Sequence, residues 1–265
     1  MNGRVLHVSD LHRGSRESAA VDDALVALAT ELGPDLVLAT GDLANRGRRE
    51  ELERARTLLE RAGAPVVAVP GNHDLPYTFP ARLTHPWRAF EHVFGATDPL
   101  FQSAAVVVCG LNSAWPARQQ GGRLSDGRLA RIADVFQNAT PGALRVVALH
   151  HHLAGAPWRA PRKRPLKHRD RVLAVLSSAG VELVAGGHIH QSTAVERHEF
   201  LAGDGSPGRS LVLATAPGFG RPRPRRAGEA HGLNLYTWSD RELVVETRVW
   251  DGTGFVSTAS RTFPR

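Results

Sequence analysis

Five short segments hold most of the residues in this chain that can do chemistry. "HVSDLHRG" carries Asp10 and His12, "TGDLANRG" carries Asp42 and Arg46, and "PGNHDLP" carries Asn72, His73 and Asp74. "ALHHHLAG" carries His150, His151 and His152, and "GGHIHQS" carries His188 and His190. Carboxylate oxygen and neutral imidazole nitrogen are ligands of first-row divalent cations. No cysteine lies in these segments, which argues against a structural zinc or iron–sulfur site. Asp10 and His12 stand two apart, as do His188 and His190, so in extended backbone each pair projects to one side and can reach a common centre. The glycines of "TGD", "PGN" and "GGH" permit tight turns beside the polar groups. The same alternation separates the triplet, with His150 and His152 on one side and His151 on the other.

Asp10, His12, Asp42, Asn72, one histidine of the triplet, His188 and His190 are too many ligands for one ion. They suit two divalent ions about 3.5 to 4 Å apart with a bridging carboxylate. Two dications set against two carboxylates, an amide and neutral imidazoles leave roughly +2 of charge, a centre that attracts phosphate. Manganese, iron and zinc all accept this oxygen and nitrogen set, so the ligand types leave the metal open.

These groups need a scaffold that delivers loops to one place. Apolar runs at residues 4–8, 36–40, 66–69, 105–109, 146–149 and 181–185 read as strands. Amphipathic helical patterns at 19–32, 49–62, 125–138 and 169–179 fall between several of them, with Ser125 as an N-cap. Strand and helix in alternation predict a layered α/β fold with parallel strands at the helical crossovers, and each polar segment follows a strand. Beyond Gly187 the runs 192–200, 210–215, 233–238 and 243–250 read as strands joined by turns such as "GDGSPG", which predicts an antiparallel sheet.

At 265 residues with 42% hydrophobic content the chain can bury a large core, and a single domain over residues 1–265 is expected. The net charge of +7 is carried almost wholly by arginine, Lys163 and Lys167 being the only lysines. Arginine suits bidentate phosphate contacts, although charge alone is a weak pointer to anionic partners. The single cysteine excludes an internal disulfide, no apolar run is long enough to span a membrane, and the cytoplasm is the expected location.

In this order, "DLH", "GDLANR", "GNHD", the "HHH" run and "GHIH" closely resemble the motif set of the calcineurin-like metallophosphoesterase superfamily, from residue 4 to residue 190. The "GNHD" form looks most like the bacterial branch of cyclic-nucleotide and glycerophosphodiester phosphodiesterases. The resemblance implies a four-layer α/β/β/α sandwich of two mixed sheets with a dinuclear site. Asp10, His12, Asp42 and His190 would bind one metal, and Asp42, Asn72, His150 and His188 the other, with Asp42 as the bridge. The family block around the triplet reads H-x-P. His152 stands where the proline would be, which makes His150 the ligand and His151 the histidine expected to matter least. His73 resembles the histidine that stabilises the transition state or protonates the leaving group. Asp74 is expected to orient it by accepting its other ring proton, and Arg46 to clamp phosphate.

The implied activity is hydrolysis of small phosphate esters, diesters such as small or cyclic nucleotides first, by a water that two divalent ions acidify. A phosphomonoesterase is one alternative. A nuclease is another, since "HVSDLHRG" also resembles the opening motif of repair exonucleases, but nucleic acid is the less favoured partner. A non-catalytic scaffold is opposed by the intact ligand set. His7 and His231 are expected to be structural. The basic stretches 158–171 and 220–226 read as solvated loops rather than a rim for polyanions, because aromatic residues to stack on bases are lacking except Trp158.

Overall fold

A computed structural model describes residues 2–15, 17–154, 163–196, 210–220 and 231–265. The chain runs through β1 (Gly3–Val8), α1 (Ala19–Leu32), β2 (Leu36–Thr40), α2 (Arg49–Glu60), β3 (Val66–Val69), α3 (Ala81–Thr84), α4 (Arg88–Phe94), β4 (Leu100–Gln102) and β5 (Val106–Gly110). It continues with β6 (Ala114–Trp115), β7 (Arg118–Gly122), α5 (Asp126–Gln137), β8 (Leu144–Ala148), α6 (Arg169–Ser178), β9 (Leu183–Gly186) and β10 (Thr193–Glu196). Four strands complete it: β11 (Val212–Thr215), β12 (Gly232–Trp238), β13 (Glu242–Trp250) and β14 (Phe255–Pro264).

Alternation along the strands sets the layers. In β2, Leu36 and Leu38 enter one apolar core while Val37 and Ala39 enter another. In β8, Leu144, Val146 and Ala148 point into the core shared with Leu36, and Val147 points the other way. A strand buried on both faces is apolar throughout and requires a layer on each side. One sheet has the order β14-β13-β12-β1-β2-β3, the other β10-β11-β9-β8-β5-β4, and β6-β7 is a separate hairpin. The sheets share one core; α1, α2 and α4 cover the outer face of the first, and α5 and α6 that of the second. This is the expected four-layer α/β/β/α sandwich of two mixed sheets. No helix among the described residues is long and apolar enough to cross a membrane.

The expected helices and the six strands before Gly187 match within a few residues, and the Ser125 side chain accepts the Arg128 N–H at 3.4 Å as an N-cap. The strands after Gly187 do not make a sheet of their own. β12 pairs antiparallel with β1 and is followed by β13 and β14, each antiparallel to the strand before it, so all three extend the first sheet, whereas β11 lies parallel to β9 in the second. A strand joins whichever edge leaves its backbone groups paired, and alternation alone does not name the edge. β14 was not expected: residues 256–262 are exposed, so no apolar period marks it. The "GDGSPG" turn, residues 158–162 of the first basic stretch and 221–226 of the second lie outside the described residues.

His7 is the one polar side chain of β1 that points into the shared core. Its Nδ1 lies 2.6 Å from the Tyr236 hydroxyl and its Nε2 2.8 Å from Thr40 Oγ1, so it ties β1 to both neighbouring strands. Burial drives its pKa down to about 3, against a smaller opposing effect of Asp10. The unfolded chain takes up this proton as pH falls below 6.5 and the folded chain does not, so the fold loses stability from pH 6.5 down to about 3. One such group contributes at most about 1.4 kcal/mol per pH unit. Urea unfolding of the metal-free protein across that range should show a shallower acid slope for His7→Gln than for the wild type; equal slopes would rule out this role.

Candidate metal centre

The polar segments follow β1, β2, β3, β8 and β9, whose carboxyl ends lie at one edge of the two facing sheets. Their backbone is unusual. Six non-glycine residues have positive φ among the described residues, and five of them are Asp10 (57°), His12 (47°), Asp42 (51°), His188 (74°) and His190 (55°). Left-handed backbone at such residues costs on the order of 1–3 kcal/mol each and persists only where surrounding contacts impose it. Those contacts run between loops. Asp10 N donates to Gly41 O and His12 N to Asp42 O, both at 2.9 Å, while Gly187 N donates to His150 O at 3.0 Å. Gly71 and Gly187 allow the loops to meet: a Cβ on Gly71 would lie 2.3 Å from Asp42 N, and one on Gly187 would lie 1.8 Å from Ser9 Oγ.

Two groups of side chains converge. In the first, Asp10 Oδ1 lies 3.0 Å from His190 Nε2 and 3.8 Å from His12 Nε2, and Asp42 Oδ2 lies 3.8 Å from the same His12 nitrogen. In the second, His150 Nε2 lies 3.4 Å from Asp42 Oδ2, 3.2 Å from Asn72 Oδ1 and 3.2 Å from His188 Nδ1. Asp42 belongs to both. Candidate ligand atoms within 4.8 Å of one another form the sets Asp10–His12–His190 and Asp42–His150–His188, with His12–Asp42–His73 between them.

Hydrogen bonds outside the centre decide which atoms face it. His150 Nδ1 lies 2.7 Å from Thr40 O, a pure acceptor, so Nδ1 carries the proton and the neutral ring directs the Nε2 lone pair at Asp42 and Asn72 oxygens. Lone pairs then face lone pairs. Burial alone would lower the His150 pKa, but Asp42 and Asp10 outweigh it and push it up to about 9. Without a metal the centre therefore draws a proton. Burial would raise the pKa values of Asp10 and Asp42; for Asp10 it is outweighed chiefly by His190, and for Asp42 by His150 and His73, and both carboxyls stay below the ordinary range. Asp10 Oδ1, both ring nitrogens of His12, Asn72 Nδ2, His188 Nε2 and His190 Nδ1 are buried without a hydrogen-bond partner among the described residues. Buried orphans of this kind cost about 1–3 kcal/mol each, and a pair of divalent cations is the group that this donor set fits.

His73 borders both groups. Its backbone N–H donates to Asp42 Oδ1 at 2.7 Å, and its ring stands edge-on to His12 with centroids 4.9 Å apart. Its Nδ1 donates to Asn45 O at 2.9 Å, leaving Nε2 available at a half-buried position. The partner of the His73 ring is thus a backbone carbonyl and not Asp74. Asp74 instead accepts Ala44 N–H on Oδ1 and Gly71 N–H on Oδ2, each at 2.7 Å, and so fastens the loops after β2 and β3 together. Burial and the charge of Asp42 push its pKa up to about 7, against those two backbone donors. Arg46 is exposed; its backbone N–H, rather than its guanidinium, is engaged, donating to Glu51 Oε2 at 2.7 Å.

His151 also departs from expectation. It is fully buried, bonds Ser113 Oγ through Nδ1 at 2.9 Å, and packs against Gly122 and the His188 ring. Sequence reading overlooked Arg13, which is 3% exposed and grips Asp22 through both terminal nitrogens at 2.8 and 2.7 Å, bracing the "DLHRG" loop on α1. The signal was a charged residue beside a candidate ligand with acidic residues ahead on a helix, a pattern too common to single out. His231 bonds Phe219 O, a structural contact as expected.

The changed partner of Asp74 makes a prediction. Asp74→Ala leaves two buried N–H groups unpaired and should lower unfolding free energy by about 1–3 kcal/mol per group. Urea unfolding measures this. A stable variant with a selective fall in kcat would restore the orienting role.

A family model described as calcineurin-like phosphoesterase matches residues 3–192. A probable cyclic nucleotide phosphodiesterase of Synechococcus sp. is 29% identical over 195 residues, covering 71% of this chain and 68% of that protein. A cAMP/cGMP dual specificity phosphodiesterase of Mycobacterium tuberculosis is 26% identical over 203 residues, covering 71% and 62%. A dimetal phosphatase from Danio rerio superimposes with a TM-score of 0.66 at 14% identity, over 99% of this chain and 98% of that one, a likeness of fold. The chain belongs to the calcineurin-like phosphoesterase family and is a metal-dependent phosphoesterase.

Proposed function

We propose that the chain is a single phosphodiesterase domain that hydrolyses small or cyclic nucleotides at a dinuclear centre. The observation that carries this reading is the pair of buried ligand groups sharing Asp42. Asp10, His12, Asp42 and His190 would hold one divalent ion, and Asp42, Asn72, His150 and His188 the other. Manganese, iron or zinc meets the ligand chemistry, with availability deciding among them. The names of the Synechococcus and Mycobacterium relatives support diesters as the substrate class. A buried, unpaired Cys109 accords with a reducing cytoplasm.

Once bound, the two ions supply Lewis acidity, charge to meet the phosphoryl oxygens and a water of lowered pKa. The protein residues do the rest. Thr40 O fixes the His150 tautomer, and the His73 N–H orients the Asp42 carboxylate through Oδ1. Asn45 O anchors the His73 ring through Nδ1, so Nε2 is the atom that donates to the leaving oxygen or gives it a proton. No observation carries a phosphate-clamp role for Arg46.

The test is a panel of a bis-aryl phosphate, an aryl monophosphate, a cyclic nucleotide and single-stranded DNA, run with manganese, iron and zinc. Turnover of the diester and the cyclic nucleotide above the monoester is expected, and chelation should abolish it reversibly. Metal-loaded protein that turns over none of the four would refute the reading; DNA cleavage alone would favour a nuclease. Asp42→Asn should lose both metals and activity together. His73→Ala should keep both metals while kcat falls by about 10²–10⁴.

A further inference from the structure

His152 is buried to 2% exposure, and neither of its ring nitrogens has a hydrogen-bond partner among the described residues. An imidazole carries at least one N–H whether neutral or protonated, so in either state a buried donor has no partner among the described residues. Unsatisfied buried donors are rare, and one in a folded protein calls for a ligand, ion or water to complete it. His151 next door has one ring nitrogen engaged, Nδ1 with Ser113, and its Nε2 has no partner among the described residues, whereas His152 has neither nitrogen engaged.

The position of His152 indicates what completes it. Its ring lies nearly parallel to that of His188, with centroids 5.9 Å apart and planes inclined by 19°. It therefore flanks the ligand group built from Asp42, His150 and His188. Its burial matches that of Asn72 at 2% and His188 at 1%. The Lys163 ammonium donates to the backbone carbonyl of His188, bringing a cation to the same corner. A buried N–H near the Lys163 ammonium suits an anionic oxygen.

We propose that His152 is a substrate-contacting residue whose ring N–H donates to a non-bridging phosphoryl oxygen of the bound ester on the His188 side of the centre. The inference rests on the phosphoesterase reading of that site. Loss of one hydrogen bond to a charged oxygen weakens binding by about tenfold or more.

The test compares wild type, His152→Leu and His152→Gln, all loaded with manganese. Metal content is measured first, then calorimetric binding of inorganic phosphate, then kcat and KM on the bis-aryl phosphate. Both variants should keep both manganese ions. His152→Leu should bind phosphate about tenfold more weakly and lose kcat/KM to a similar or greater degree, and His152→Gln, which retains an N–H donor, should recover most of the loss. Phosphate binding by His152→Leu within about twofold of wild type overturns the inference. So does loss of manganese from both variants, which would mean that the ring only supports His188. Wild-type protein without turnover would refute the reading of the site, whereas normal wild-type turnover with an unaffected His152→Leu refutes this inference alone.

Discussion

Lone pairs directed at one another in a dry interior are the constraint from which the rest of the structure follows. His150 Nε2 faces oxygens of Asp42 and Asn72 at 3.4 and 3.2 Å, and Asp10, His12, His188 and His190 contribute further atoms without partners. Such an arrangement repels itself, and burial keeps it from bulk solvent. It is tolerable only with positive charge at its centre. Protons supply some in the metal-free protein, as the raised pKa of His150 shows, and two divalent cations satisfy the whole set.

Holding the arrangement falls to the sandwich. Parallel strands from both sheets end at one edge, so segments far apart in the chain meet with their polar residues facing inward. The loops are then locked by bonds that leave little freedom: Asp74 ties the turn after β3 to the turn after β2, and Arg13 ties the first loop to Asp22 at the start of α1. These locks hold five ligand candidates in left-handed backbone. Strain is thus concentrated at the functional edge and offset by the three apolar cores behind it.

Much of the fold was legible because burial leaves a period in the sequence. Leu36–Thr40 and Ala19–Leu32 carry that period strongly, and their bounds match. Residues 256–262 of β14 are exposed and carry none, and β11 carries one that does not say which edge it joins or in which direction. The site shows the same division. The ligand-type residues stand out by chemistry and by their place after strands, whereas the partner of His73 did not. Asn45 acts through its backbone carbonyl, an atom every residue possesses, so nothing in its identity announces the contact.

The sequence by itself determined the ligand-type chemistry, the two-residue spacing of Asp10 with His12 and of His188 with His190, and the order of the six strands and four helices expected before Gly187. These follow from residue types and local periodicity. Tertiary structure alone decided which nitrogen of His150 faces inward, that Asp74 fastens loops instead of orienting His73, and that Ser113 engages the His151 ring while the His152 ring has no partner among the described residues. Each depends on a partner far away in the chain: His150 takes its orientation from Thr40, 110 residues distant, and the His188 N–H finds Asp10 across 178 residues. Hydrogen-bond direction and φ at these positions are set by contacts that exist only once the two sheets have closed on each other.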